Sequence, residues 1–324
     1  MKIERRKLLQ LGAVGAASLA SGVFVSGCEP AAKVGDGSDI LDIAIIGGGI
    51  SGLSAGWELM KGGVTSFAIL EARERVGGRT FNQTVNGEPV ASGATWIGPE
   101  QTAIYDLCRQ LEIEAYPSYW TGDTQIVMGD TVIRVPEEQF GAPFDDPALL
   151  EKLEALARTV PLSEPWKAQN AAELDAMTFG DWLRQNGMSD EEYALRNPSA
   201  ALTFGARADQ ISLLYVLHYI HSAGSYLLLE TMEGGAQQDR IKGGSQTVSL
   251  ALHEKLGDMV RLDHPVTSVK NWDGKGPVEI ETAKGTIKAR RVILALSPSQ
   301  AGEIAFSPAL PGGRQAIIDG WPRG

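Results

Sequence analysis

Two glycine-rich motifs, one strand–helix–strand unit apart, constrain this chain more than any other feature. The first, Gly47-Gly48-Gly49-Ile50-Ser51-Gly52, follows the apolar run Ile43-Ala44-Ile45-Ile46. A helix-compatible stretch over residues 53–61 comes next and is stopped by Gly62-Gly63, as a helix C-terminus would be. In such a turn Gly47 permits the tight reversal, Gly49 lets backbone approach a pyrophosphate, and Gly52 lets helix and strand pack closely. The N–H groups of the first helical turn, where Ser51 sits, favour phosphate charge together with the helix dipole. Glu71 lies 19 residues beyond Gly52, at the end of the next apolar run, Phe67-Ala68-Ile69-Leu70. An acid at that place accepts from ribose hydroxyls. Strand, helix and acid together predict a bound dinucleotide; they leave NAD and FAD both open.

The second motif separates the two. Glu71-Ala72-Arg73-Glu74-Arg75-Val76-Gly77-Gly78-Arg79-Thr80 resembles the second fingerprint of the flavin-containing amine oxidases and their relatives. The resemblance continues in Ser92-Gly93-Ala94-Thr95-Trp96-Ile97-Gly98-Pro99, in Gly234-Gly235-Ala236-Gln237-Gln238-Asp239-Arg240 with Gly243-Gly244-Ser245-Gln246, and in Phe306-Ser307-Pro308-Ala309-Leu310-Pro311. It covers nearly all of residues 39–324 and is similar to the bacterial flavin monoamine oxidases. The first two motifs are shared with polyamine oxidases, L-amino-acid oxidases, protoporphyrinogen oxidase and carotenoid desaturases.

The resemblance implies FAD as cofactor and residues to hold it. Gly47, Gly49, Ser51, Gly52, Glu71, Ala72 and Gly78 would line the dinucleotide. Arg73 and Arg79 would face phosphates or the flavin. Thr95, Trp96 and Ile97 resemble the segment beside the isoalloxazine, and Val266 the valine whose backbone recognises the adenine. Gln237 resembles a glutamine near the substrate cavity, with Leu228 and Leu229 as apolar lining. The implied reaction takes a neutral primary amine or polyamine to an imine and then an aldehyde, with O2 reduced to H2O2; an L-amino-acid oxidase or desaturase chemistry is the alternative, and a non-catalytic FAD-binding remnant another. No catalytic residue is assigned: the family lysine follows a segment resembling Trp321-Pro322-Arg323-Gly324, and with the paired aromatic residues it would lie beyond Gly324. The chain thus reads as about the first two-thirds of an amine oxidase, truncated at its C-terminus.

The N-terminus carries a different signal. Lys2, Arg5, Arg6 and Lys7 precede an uncharged stretch over residues 8–27, the layout of a secretory leader. Arg5-Arg6 suggests the twin-arginine route, suited to a protein loaded with flavin before export. Val25-Ser26-Gly27-Cys28 resembles a lipobox with Cys28 as the lipidated residue, and residues 31–38 read as a tether. The expected location is the periplasm or cell envelope, with a membrane anchor at Cys28. A formal net charge of −11 and the absence of a basic stripe argue against a nucleic-acid partner. With Cys28 so assigned, Cys108 stands alone in a helical pattern, as a small buried apolar residue. No zinc-ligand spacing occurs, so no metal is expected.

Hydrophobic periodicity predicts an α/β chain interrupted by a helical stretch. A hairpin is expected around Asn86-Gly87 and another around Gly129-Asp130. Residues 146–221 read as helical, with Leu149, Leu150, Leu153 and Leu156 on one face. Thr178 and Asp181 suit a capping box, and Asp209 a cap for a buried helix over residues 211–220. Strand patterns return over residues 266–272, 278–282, 286–289 and 292–296, the last a continuous apolar run. His218 and His221 share a helix face and read as hydrogen-bonded structural residues rather than ligands. The resulting fold is a discontinuous Rossmann-like FAD-binding domain over residues 39–118 and 241–297. A largely helical substrate domain, residues 119–240 and 298–324, is inserted and incomplete. Residues 1–38 form the leader and linker.

Overall fold

The computed structural model describes residues 40–128, 130–136 and 146–321. Cys28, and with it the expectation of export and lipidation, lies outside the described residues, as do Pro322, Arg323 and Gly324.

The first glycine motif sits where its sequence places it, between β1 (Leu41–Ile46) and α1 (Ile50–Lys61), with β2 (Phe67–Leu70) following. Gly62 closes α1, its N–H donating to the Glu58 carbonyl at 2.9 Å. The Asn86-Gly87 hairpin forms from β3 (Asn82–Val85) and β4 (Glu88–Ala91). Asn86 and Gly87 take φ values of 52° and 86°, the two positive angles that match the twist of a tight hairpin. Then come β5 (Trp96–Ile97), α2 (Thr102–Gln110), β6 (Ala115–Pro117) and the second predicted hairpin, β7 (Thr124–Met128) with β8 (Thr131–Val135).

The helical stretch holds α3 (Pro147–Ala157), α4 (Ala171–Ala176), α5 (Phe179–Gln185), α6 (Asp190–Phe204), α7 (Leu213–Ala223) and α8 (Tyr226–Glu230). Leu149 and Leu153 of α3 are buried with Phe179, Trp182, Leu183, Phe204, Leu217 and Tyr226 in one apolar core. Thr178 caps α5, accepting from the Asp181 N–H at 3.0 Å and donating to its carboxylate at 2.7 Å. The expected Asp209 cap is not formed. Asp209 instead pairs with Arg207 at 2.9 Å, and the Ser212 hydroxyl accepts from the Tyr215 N–H at 3.4 Å. A cap must sit in extended backbone immediately before the first helical residue, and Ser212 occupies that place. Nor is α7 buried all round: Leu213, Val216, Leu217 and Ile220 face the core while Tyr215 is 39% exposed.

The chain returns to sheet with β9 (Asp239–Ile241), α9 (Gln246–Leu256), β10 (Val260–Arg261), β11 (Val266–Lys270), β12 (Val278–Thr282) and β13 (Gly285–Leu294). It ends with α10 (Pro298–Ala301), β14 (Ala305–Ser307) and α11 (Gly312–Gly320). The two short strands expected over residues 286–289 and 292–296 are a single strand, β13. Its first half pairs antiparallel with β12 and its second half parallel with β1, Ala289 facing both Val278 and Leu41. The main sheet is seven-stranded in the order β10-β2-β1-β13-β12-β11-β14. Side-chain alternation splits it into two cores. Ile45, Phe67 and Ile69 face α1 and α9, whereas Ala44, Ile46, Ala68 and Leu70 pack with Val269, Val278 and Ile280.

One domain boundary needs correction. Residues 298–324 were expected with the substrate domain, but β14 pairs parallel with β11, from Ser268↔Ala305 to Lys270↔Ser307. An open sheet edge presents unpaired backbone groups. β14 covers that edge, and Ile304 and Phe306 join the core of the dinucleotide sheet.

Candidate functional site

Strand order reverses at β1. From β1 the chain reaches β2 on one side through α1, and β13 pairs on the other. The carboxyl ends of β1 and β13 therefore flank a switch point, where open parallel sheets bind their ligands. Gly47 stands at that end with φ 112°. A Cβ on it would lie 2.6 Å from the Ala295 carbonyl oxygen, and one on Gly52 would lie 1.9 Å from the Gly47 oxygen. Both distances exclude any side chain, for backbone cannot retreat as a flexible side chain can. Gly49 precedes α1 without a side-chain cap, and no acid occupies the first turn. The amides of that first turn carry the partial positive charge of the helix end.

The second motif lies directly on the first. The Gly77 N–H donates to the Gly48 carbonyl at 2.9 Å, Gly49 and Gly77 form a parallel bridge, and a Cβ on Gly78 would meet the Gly49 Cα at 3.3 Å. Glu71 is 7% exposed. Its carboxylate accepts from the Gly48 N–H at 2.7 Å and from the Arg73 N–H at 3.0 Å. A carboxylate can accept about four hydrogen bonds, so capacity remains for ribose hydroxyls. The site fits a dinucleotide: glycine backbone where phosphates approach, an uncapped helix start, and a buried acid anchored by two amides.

The other predicted residues fall on this frame at different distances. Ser51, Ala72, Arg73 and Arg79 lie exposed on its rim, and neither arginine has a side-chain ion pair among the described residues. Val266 opens β11 opposite Thr282, two residues after His264, whose N–H donates to the Glu71 carbonyl at 2.8 Å. Thr95, Trp96 and Ile97 are tied in through Ala94, whose N–H donates to the Arg79 carbonyl at 3.1 Å. Trp96 is 45% exposed, with its ring centroid 6.1 Å from that of Trp120.

Leu228, Leu229 and Gln237 form a separate group. The Ala236 N–H donates to the Leu228 carbonyl at 2.7 Å and the Gln237 N–H to the Thr231 carbonyl at 3.4 Å, which closes this loop on α8. Leu229 packs against the helical core. The loop meets the dinucleotide side at Gly98, where an added Cβ would lie 2.5 Å from the Gly235 oxygen.

Several contributors carry no role that their own motif assigns. The Arg75 guanidinium stacks 4.2 Å from the Phe81 ring centroid and donates to the Val76 and Gly78 carbonyls at 3.3 Å. Gln246 and Ser245 anchor the second motif and the Ala94 carbonyl; the Gly243-Gly244-Ser245-Gln246 motif was the available signal. The Arg261 carbonyl accepts from the Glu71 N–H at 3.0 Å, and burial lowers the pKa of its guanidinium. No sequence motif marks that strand end. His218 and His221 point to the Leu162 and Val160 carbonyls at 3.0 and 2.7 Å, the structural role expected of them. Burial raises the Cys108 thiol above its ordinary pKa. Among the described residues no group of acids, histidines or cysteines could hold a metal.

These features define a dinucleotide-binding protein of the doubly wound α/β type. The chain belongs to the flavin-containing amine oxidoreductase family, whose model matches residues 50–323. It is 35% identical over 289 residues to putrescine oxidase of Kocuria rosea, covering 83% of this chain and 59% of that protein. It is 31% identical over 308 residues to bovine flavin-containing amine oxidase A, covering 91% and 57%. Among solved structures, cyclohexylamine oxidase from Brevibacterium oxydans superposes with a TM-score of 0.77 at 30% identity, covering 87% of this chain and 63% of that one. Putrescine oxidase bound to putrescine gives 0.73 at 31% identity, covering 86% and 63%. The chain thus spans about three-fifths of the length of the curated relatives it matches. The cofactor of this family, FAD, fits the site described.

Proposed function

We propose that the protein oxidises a primary amine or polyamine to the imine, and so to the aldehyde, with O2 as final acceptor. The observation that carries this reading is the backbone contact between the two glycine motifs above a buried Glu71. Bound FAD supplies a two-electron acceptor that O2 can regenerate. Residues Gly47, Gly49, Gly52, Gly78 and Glu71 hold and orient the dinucleotide, with Ser51, Ala72, Arg73, Arg79 and Val266 around it. Thr95, Trp96 and Ile97 form the wall beside the reacting end, and Leu228, Leu229 and Gln237 the approach for the amine. Relatives that oxidise putrescine and cyclohexylamine support an amine as substrate. The test is anaerobic mixing of the FAD-loaded protein with putrescine, cyclohexylamine and benzylamine. Loss of the flavin's visible absorbance with any of them supports the reading, and an unchanged spectrum with all amines counts against turnover.

One observation favours a second reading, an amine substrate that also carries a carboxylate. The pairings Trp96↔Arg240 and Tyr116↔Arg240 put these three residues on one face of a small sheet, since cross-strand partners share a face. The Arg240 side chain has no partner among the described residues. Bleaching by L-amino acids but not by simple amines would establish that class. The sequence-based proposal of export, with lipidation at Cys28, stands beside both readings; a Cys28→Ser protein that remains in the membrane fraction would refute it.

A further inference from the structure

Gln246 opens α9 and is 7% exposed. Both the nitrogen and the oxygen of its amide are engaged, one within the second glycine motif and one just beyond it. Nε2 donates to the Val76 carbonyl and Oε1 accepts from the Asn82 N–H, each at 2.9 Å. These two bonds bracket the arm from residue 76 to residue 82, and Gly77-Gly78 lies between them. A Cβ on Gly77 would meet the Gln246 Cγ at 3.1 Å, so the side chain also supports the arm from beneath. The middle of the arm is held from the same helix. Thr80 donates to the Gly77 carbonyl at 2.7 Å, and the fully buried Ser249 hydroxyl lies 3.2 Å from the Thr80 hydroxyl. Asn82 returns the contact, donating to the Gly243 carbonyl at 2.7 Å.

We propose that Gln246 is a positioning residue for FAD. Its carboxamide fixes how closely the Gly77-Gly78 arm approaches Gly48 and Gly49, and thereby the width of the pyrophosphate subsite. This rests on the FAD reading. The chemistry of the contact is specific. A carboxamide presents a donor and an acceptor at once, whereas a carboxylate presents acceptors alone. Gln246→Glu keeps the shape and the Asn82 bond but sets a carboxylate oxygen against the Val76 carbonyl. Protonation of that glutamate restores an O–H donor to Val76, and burial favours the protonated form. The affinity of this variant for FAD is therefore tied to pH in a way that mere loss of packing would not be.

The experiment is FAD titration of the apo full chain, followed by flavin fluorescence, for wild type, Gln246→Leu and Gln246→Glu. It is run from about pH 8 to about pH 5, the range in which buried carboxyls titrate. Hydrogen exchange over residues 76–82 is measured in the same apo proteins. Gln246→Leu should lose roughly tenfold in affinity, as expected when a buried carbonyl is left unpaired. Gln246→Glu should match that loss at the alkaline end and recover most of it at the acid end, relative to wild type at each pH. Exchange over residues 76–82 should follow the same pattern while the β1–β2 amides stay protected. Wild-type affinity in Gln246→Leu, or a Gln246→Glu loss that does not depend on pH, overturns the proposal. So does failure of the glutamate variant to fold at either end. A wild-type protein that binds no FAD overturns the cofactor reading instead, and the exchange pattern then decides alone whether Gln246 sets the arm.

Discussion

The helical region from α3 to α8 takes its core from near neighbours in the chain, whereas the dinucleotide sheet joins segments far apart. Leu153, Phe179, Leu183, Leu217 and Tyr226 meet within one continuous stretch and are sealed mainly by side-chain volume. In the sheet, Leu41 pairs with Ala289, and the arm that includes Gly77 is stapled by residues more than 160 positions away. The first region depends chiefly on side chains of matching volume. The second depends on backbone approaching backbone, where a single methyl group is too much.

That contrast can be broken at several points, beginning with the largest expected effect. Gly52→Ala should abolish measurable FAD binding, because its Cβ would sit 1.9 Å from the Gly47 oxygen; the accompanying loss of stability is on the order of 3 kcal/mol, at the upper end for overpacked sites. A variant that binds FAD normally would mean the turn is not the phosphate site. Leu217→Ala should cost about 3 kcal/mol in urea unfolding through the cavity it leaves, with FAD affinity changed less than about twofold because Leu217 belongs to the helical core and not to those of the sheet. If affinity falls in step with stability, the two regions are one energetic unit. Glu71→Gln should weaken FAD by roughly tenfold, the value of about one charge-assisted hydrogen bond; a carboxamide has a single acceptor oxygen, so it keeps one of the amide bonds from Gly48 and Arg73 and sets its NH2 against the other. Equal affinity would remove Glu71 from ribose recognition. Thr178→Ala should cost about 1 kcal/mol through the lost cap of α5 and leave flavin spectra unchanged.

The smallest effect concerns pH. Burial holds the Cys108 thiol above its usual pKa, so the reactive thiolate is scarcer than at a free cysteine. The folded protein should react slowly with a thiol reagent at neutral pH and faster as pH rises, with denaturant removing the difference. Rapid labelling of the native protein at neutral pH would show that α2 opens readily.

The legible parts were those in which a local rule fixes a local structure. Gly47, Gly49 and Gly52 between an apolar strand and a helix, the Asn86-Gly87 hairpin and the Thr178 cap each follow from backbone sterics or short-range hydrogen bonding. The cap of α7 was misplaced because Asp209 and Ser212 both suit capping and only backbone direction chooses between them. The pattern of the continuous β13 resembles two strands because its two halves serve different partners. The fate of residues 305–307 was hidden for a related reason: a three-residue strand has too little pattern to show which sheet edge it will cover.

By itself, then, the sequence determined that a glycine turn would join an apolar strand to a helix, with Glu71 at the end of the next strand, because φ preferences, helix-end amides and strand periodicity act over a few residues. The tertiary structure decided how the second glycine motif is held over the first, which residues pin it, and which strands close the sheet. Those outcomes depend on contacts between distant segments, and a buried amide such as Gln246 acquires its role only when folding brings Val76 and Asn82 to it.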